Sequence, residues 1–238
     1  LLFRRCLSEN ETISVRRKGG RGKAESGLER EETYDRLHFE KELWARGLTA
    51  VAGLDEVGRG CLFGDVVAAA VVLPPGLVLE EIDDSKKLSE KKRERLYDVI
   101  VERAVAWSVA RVDAATIDRI NIRQASRLAM KQAVESLAVR PEHLLVDAET
   151  VPGDVPQTSI IKGDARSQTI GAASILAKVT RDRLCREVWD ALYPGYGIAE
   201  HKGYATKEHR EALLALGPSP LHRKSFLGKL LAEQQRLF

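Results

Sequence analysis

Four carboxylates are set apart by what precedes them. Asp55 and Glu56 close the stretch "VAGLDE", Asp147 closes "LLVD", and Asp164 follows "IIKG". Short apolar runs of this kind read as buried strands, and charge at their ends is costly unless it is paired or bound to a cation. Acids brought to one edge of a sheet also repel one another. Hard divalent ions relieve that repulsion through carboxylate oxygens. Two such ions about 3.5–4 Å apart can activate a water and stabilise the leaving oxygen in phosphodiester hydrolysis. The pattern therefore points to a metal-dependent phosphoryl enzyme. For any single acid the plainer reading, a solvated strand end, stays open. Adjacent side chains on a regular strand point to opposite faces, so Asp55 and Glu56 share a site only if the strand ends or bulges there. Gly58 and Gly60 make such an ending the expectation.

The elements that position these acids follow from periodicity. A polar helix over 31–46 leads into a first strand at about 49–56, and "VVAAAVVL" at 66–73 is a second. The segment "GRGCLFGD" between them reads as a hairpin-like connection. Ser89 is a candidate N-cap for a charged helix. "VAWSVARV" alternates as a third strand, Thr116–Leu137 reads as one long helix, and "HLLVD" is a fourth strand. "TSIIKGD" holds a fifth, with Asp164 at its end. Helices at about 167–191, after Thr206 and after 224 complete the chain. Strands first, then helices interleaved with strands, predict one α/β domain with a mixed sheet over residues 31–238. Residues 1–30 read as a disordered basic extension.

Composition excludes several classes. The longest apolar run, "VVAAAVVL", is too short to cross a bilayer. Cys6, Cys61 and Cys185 are odd in number and lack metal-type spacing, so a reducing cytoplasm is expected. The formal charge of +3 comes from the first 30 residues, which carry eight Arg/Lys against four Glu. Nucleic-acid binding must then rest on local clusters, and one lies over 201–229 with Lys202, Lys207, Arg210, Arg223, Lys224 and Lys229.

In chain order, "AGLDEVGRG", "DDSKKLS", "INIRQAS", "VDAE", "KGDARSQTIGAASILAKVTRDR" and "HKGYATKEH…GPSPLHRKSF" resemble bacterial ribonuclease HII from about Phe39 to Phe226. The resemblance implies a ribonuclease-H-like α/β fold of about five strands flanked by helices, with a C-terminal helical region. It implies Mn2+- or Mg2+-dependent hydrolysis of the RNA strand of RNA–DNA hybrids, with two ions when substrate is bound. It also implies incision on the 5′ side of ribonucleotides embedded in duplex DNA, leaving 3′-hydroxyl and 5′-phosphate ends. Asp55, Glu56, Asp147 and Asp164 fall on the family's catalytic acids. Gly58, Arg59 and Gly60 match a loop whose backbone contacts the ribose 2′-OH. Tyr204 matches a tyrosine that stacks on the following sugar, and Lys86 a phosphate-contacting lysine. Ser174 and Lys178, four apart on one helical face, are candidates for phosphate contact or for plain helix–sheet packing. Asp182 reads as a helix-surface charge or one behind the ligands. His201, His209 and His222 are expected on the basic face or in hydrogen bonds rather than as bases. A monomer without membrane attachment is the default. Another ribonuclease-H-like nuclease and a non-catalytic hybrid-binding module are the rival classes.

The chain departs from the family in two places. Cys61 and Asp65 stand near positions where the family usually has prolines, so the hairpin is expected to be more flexible. Ala148 stands where glycine usually follows the third acid, and its methyl is expected to crowd the substrate backbone. At the C-terminus Gln234, Leu237 and Phe238 resemble the short peptides by which bacterial repair proteins dock on the sliding clamp. Helical spacing with Leu227, Leu230 and Leu231 is the competing reading.

Overall fold

The computed structural model describes residues 34–82 and 88–228. Five strands, β1 (Val51–Val57), β2 (Val66–Val72), β3 (Ala106–Val112), β4 (His143–Asp147) and β5 (Gln157–Ile160), form one sheet in the order β3-β2-β1-β4-β5. β2 is antiparallel to β1 and to β3, whereas β4 runs parallel to β1 and to β5. This is the mixed sheet expected from sequence. The helices are α1 (His38–Ala45), α2 (Glu90–Arg103), α3 (Ala114–Ile120), α4 (Ile122–Glu135), α5 (Gly163–Arg166), α6 (Gln168–Arg183), α7 (Asp190–Leu192), α8 (Ile198–His201) and α9 (Lys207–Leu216). A π-helical segment, Leu184–Trp189, carries α6 on into α7, and residues 224–228 are again helical. Among the described residues no helix is long and apolar enough to cross a membrane.

The all-apolar β2 is central and fully buried because helices cover both faces of the sheet. Val66, Ala68, Ala70 and Val72 pack with Ala125, Ala129, Met130 and Ala133 of α4. Val67, Ala69 and Val71 pack with Leu96 and Ile100 of α2 and with Ala172, Ile175 and Leu176 of α6. The alanines let the helices approach closely. At Gly53 of β1 the approach is closer still, since a Cβ there would lie 2.3 Å from the Thr169 carbonyl carbon. Truncating one of the large buried residues, Leu54 for example, is worth about 2–5 kcal/mol.

The single helix expected over 116–137 is two. Asn121 lies between them at φ 68° and caps α4, its Oδ1 accepting from the Gln124 amide at 3.1 Å. Asparagine is a favoured cap, so it ends one helix and starts the next where periodicity alone runs on. The predicted cap Ser89 accepts from the Lys92 amide, and Thr206 caps α9 by accepting from the His209 amide.

Candidate active site

Pairing of β1 with β4 ends at Leu54↔Val146, and Asp55 and Asp147 are the next residues on the two parallel strands. Asp147 Oδ1 accepts a 2.6 Å hydrogen bond from the Gly163 amide, which brings the start of α5 against the end of β4. Asp164, the next residue, is buried, and its carboxylate accepts from the Ala165 amide at 2.9 Å. The expectation that Asp164 ends a strand is corrected. β5 stops at Ile160, Lys162 turns the chain at φ 56°, and the acid stands on a one-turn helix.

The expectation of a break at Asp55–Glu56 is also overturned. β1 keeps its register with β2 through Val57↔Val67, so the two side chains start out on opposite faces, yet near the strand's end both reach one cleft. Asp55 points toward α6, where Ser174 hydrogen-bonds it. Burial holds the Asp55 carboxyl well above the usual carboxylate range, neighbouring Glu56 raises it further, the Ser174 bond opposes the rise, and Asp147 adds to it. Burial likewise raises Glu56, against the pull of Arg59, whose Nη1 lies 3.0 Å from Oε1. Asp147 and Glu149 push Glu56 the same way as burial. Its other oxygen, Oε2, is buried with no hydrogen-bond partner among the described residues.

These groups open into a cleft of about 350 Å³ lined by Asp55, Glu56, Val57, Arg93, Ser174, Lys178 and Tyr204. A roomier groove of about 460 Å³ beside Phe39, Leu43 and Leu145 has no such convergence of polar groups. Ser174 and Lys178 therefore face the cleft from α6. Lys178 Nζ is 2.7 Å from Asp182 Oδ1, and Arg93 Nη2 is 3.8 Å from Asp182 Oδ2. Asp182 is buried rather than on a helix surface, and it orders two cations behind the acids. Arg93 was invisible in sequence because it sits in the charged run "KKRER".

The 58–65 connection approaches from the other side. Gly58 has φ 92°, and a Cβ there would lie 2.4 Å from Arg181 Nε, whereas a Cβ at Gly60 would meet open space. Arg59 is exposed, and its carbonyl accepts from Arg223 Nη1 at 3.1 Å. Arg223 also donates from Nε to Gly64 O at 2.9 Å. It is fully buried, so it is not part of the basic surface that "LHRKS" suggested. Burial draws its pKa down to about 10. Cys61 is buried, with Sγ 3.5 Å from Lys202 O. The connection is thus bonded along its length, contrary to the added flexibility expected from its missing prolines. Asp65 is held near Arg111, 3.6 Å away, and burial raises its carboxyl.

Tyr204 is 41% exposed and reaches the cleft. Behind it the three histidines form hydrogen bonds with fixed tautomers, one of the two placements expected. The Ser219 amide donates to His222 Nδ1 at 3.0 Å, so His222 Nε2–H donates to His209 Nε2 at 3.1 Å. His209 Nδ1–H then donates to Tyr204 O at 2.8 Å. His201 stacks on His209 at 4.2 Å and accepts from the Gly203 amide. Burial draws His209 down and His222 down to about 4. The trio supports the Tyr204 turn and does not face the cleft.

Ala148 takes φ 46° directly after Asp147, a left-handed conformation that costs a Cβ-bearing residue about 1–2 kcal/mol. Lys86, Gln234, Leu237, Phe238 and the 1–30 extension lie outside the described residues.

Residues 52–229 match the family model described as Ribonuclease HII. The chain belongs to the ribonuclease HII family. It is 60% identical over 203 residues to "Ribonuclease HII" of Alkaliphilus metalliredigens, covering 83% of this chain and 99% of that one. Among solved structures it resembles ribonuclease H2 from Pyrococcus horikoshii, with a TM-score of 0.67 and 25% identity over 78% of this chain and 97% of that one. It also resembles the ribonuclease HII of Archaeoglobus fulgidus solved in a PCNA:RNase HII complex, with a TM-score of 0.61 and 25% identity over 76% and 96%. This ribonuclease HII chain is thus a metal-dependent endoribonuclease acting on RNA–DNA hybrids.

The donor set fits a hard cation, since it consists of carboxylates with no thiol or imidazole among them. The orphaned Glu56 Oε2 and the destabilised Asp55 charge are unmet needs that a cation satisfies. Even so, among the described residues no group of three such side chains is arranged as a ready cage for an ion.

Proposed function

We propose that Asp55, Glu56, Asp147 and Asp164 hold two divalent ions, Mn2+ or Mg2+, and that the enzyme incises 5′ of single ribonucleotides in duplex DNA as well as within hybrids. The supporting observations are the raised, buried Asp55 and Glu56 in the cleft, the pairing that sets Asp147 beside Asp55, and the Gly163 amide bond that brings Asp164 next to Asp147. Bound there, the ions would supply an activated water and stabilise the leaving 3′-oxygen. The protein's own part is to orient. Ser174 fixes the Asp55 carboxyl by a hydrogen bond, and the Gly163 amide fixes that of Asp147. Lys178 and Arg93, both lining the cleft and ordered by Asp182, attract the phosphate backbone. Gly60, with open space in front of it, admits the backbone of the Gly58–Gly60 loop to the ribose 2′-OH, the group that separates RNA from DNA. Tyr204 stacks on the neighbouring sugar, and Lys86 contacts phosphate.

We further read residues 31–238 as one catalytic domain acting as a monomer in the cytoplasm, in replication and repair. The C-terminal Gln234, Leu237 and Phe238 dock on a sliding clamp, a reading supported by the relative solved with PCNA. The test is a labelled DNA duplex carrying one ribonucleotide. Cleavage 5′ of it with Mn2+ or Mg2+, and none in EDTA or on all-DNA duplex, is expected. Cutting of all-DNA at the same rate overturns the proposed specificity.

A further inference from the structure

Arg181 belongs to α6, yet it makes no contact with the acids in the hydrogen bonds it forms. Its side chain is fully buried and donates to backbone carbonyls on two separate segments. Nε bonds Asp65 O at 3.0 Å and Nη2 bonds Phe63 O at 2.9 Å, both in the 58–65 connection. Nη1 bonds Lys202 O at 2.7 Å, two residues before Tyr204. The guanidinium also lies 5.7 Å from the Trp189 ring centroid, and Gly58 and Gly203 pack directly on it, at 2.4 and 3.4 Å from an added Cβ. A backbone bond from Leu62 N to Gly203 O at 2.9 Å joins the same two segments. Burying a guanidinium is costly, and a planar fork reaching three carbonyls in set directions is what lysine does not reproduce.

We propose that Arg181 is a positioning residue that holds the ribose-facing loop and the Tyr204 turn at one fixed spacing. The proposal rests on the roles given above to Gly58–Gly60 and Tyr204. One guanidinium spans the two elements that read a ribonucleotide and the sugar after it. Loosening it leaves both readers present but out of register, and misplacement of about 1 Å is worth on the order of a hundredfold in rate.

The experiment is a double-mutant cycle on a duplex with one ribonucleotide, using Arg181→Lys, Tyr204→Ala and the pair, all at temperatures below each variant's melting transition. Arg181→Lys is expected to lower kcat/KM at least tenfold while affinity for all-DNA duplex stays within about twofold. In the Tyr204→Ala background the same change is expected to cost less than about threefold, because the spacing it protects no longer has a reader at one end. If the two losses multiply, Arg181 acts on stability or binding alone and the proposal fails. If Tyr204→Ala by itself leaves cleavage unchanged, the reading of Tyr204 falls first and the proposal falls with it. Should Arg181→Lys not fold, Gly203→Ala parts the segments from the other side, its Cβ arriving 2.9 Å from Phe63 O. It is expected to show the same sub-multiplicative loss with Tyr204→Ala, and multiplicative losses overturn the proposal equally.

Discussion

At the carboxyl ends of β1 and β4, Asp55, Glu56 and Asp147 are gathered, and burial raises the carboxyls of the first two. Across the cleft, the 58–65 connection and the Tyr204 turn are bonded from within by Arg181, Arg223 and His209. The first region leaves Glu56 Oε2 without a partner and holds Asp55 as a reluctant anion. The second gives its buried donors to main-chain carbonyls. The difference separates two kinds of demand. A site that must bind cations keeps unmet negative charge, whereas a surface that must read shape bonds most of its buried donors, Arg223 Nη2 being an exception, and becomes rigid.

The largest break in this contrast comes from removing one charge at the acid end. Asp55→Asn is expected to cut cleavage a thousandfold or more, about 4 kcal/mol of barrier. It also relieves repulsion in the metal-free protein, and a gain of about 1 kcal/mol raises the melting temperature by roughly 2–4 °C. Cleavage assays and thermal melts in EDTA check the two halves. A variant that melts lower without metal contradicts the account of the acids as mutually destabilising.

Two glycines sharpen the other side. Gly58→Ala places a methyl on Arg181 at a left-handed φ of 92°. We expect a loss of about 2–4 kcal/mol, read as a melting temperature lower by roughly 4–16 °C. Gly60→Ala faces open space, so stability should hold while ribonucleotide cleavage falls, because the new Cβ stands between backbone and 2′-OH. Equal stability loss in both variants would erase the distinction between a packed glycine and a substrate-facing one.

Acid weakens the bonded side. His222 is drawn from 6.5 to about 4 in the folded protein by burial, with His209 and His201 adding to the effect. The native state then binds fewer protons than the unfolded chain between these values, so this contribution is complete above about pH 6.5 and is lost as pH falls toward 4. The buried acids Asp55 and Glu56 have the opposite sign. Denaturation midpoints of wild type and His222→Gln at pH 7.5, 6 and 5 isolate the histidine part, and wild type should lose more across that window.

The smallest effect is at Ala148. Glycine there removes about 1–2 kcal/mol of left-handed strain and returns about 0.5–1 in unfolded-chain entropy. A net gain on the order of 0.5–1 kcal/mol is expected from chemical denaturation. A loss would show that the methyl makes contacts outweighing its strain.

Much of this was legible in the chain. The strands were, because the runs "VVAAAVV" and "HLLVD" are apolar for reasons of burial that act locally. The places of Asp55, Glu56 and Asp147 at or near strand ends were, because they follow such runs. What could not be read was orientation. Glycines after Asp55–Glu56 suggested a broken strand, but continuous pairing with β2 kept it regular, and a partner strand is not visible in a local pattern. Arg181 and Arg223 look like surface charge in "TRDR" and "LHRKS" because their acceptors are backbone carbonyls over a hundred positions away for the first connection. The break at Asn121 is hidden for a similar reason, since helical periodicity continues across it while its φ is not helical.

The imidazoles behind Tyr204 are polarised as a row. Each ring accepts on one nitrogen and donates from the other, so the protons of His222 and His209 all point from Ser219 toward the Tyr204 carbonyl. Moving the proton of one ring alone to its other nitrogen sets two lone pairs or two N–H groups face to face. The row therefore has no intermediate settings: it stands aligned or it is broken. A turn that carries the cleft-lining Tyr204 is in this way fastened by a latch with a single position.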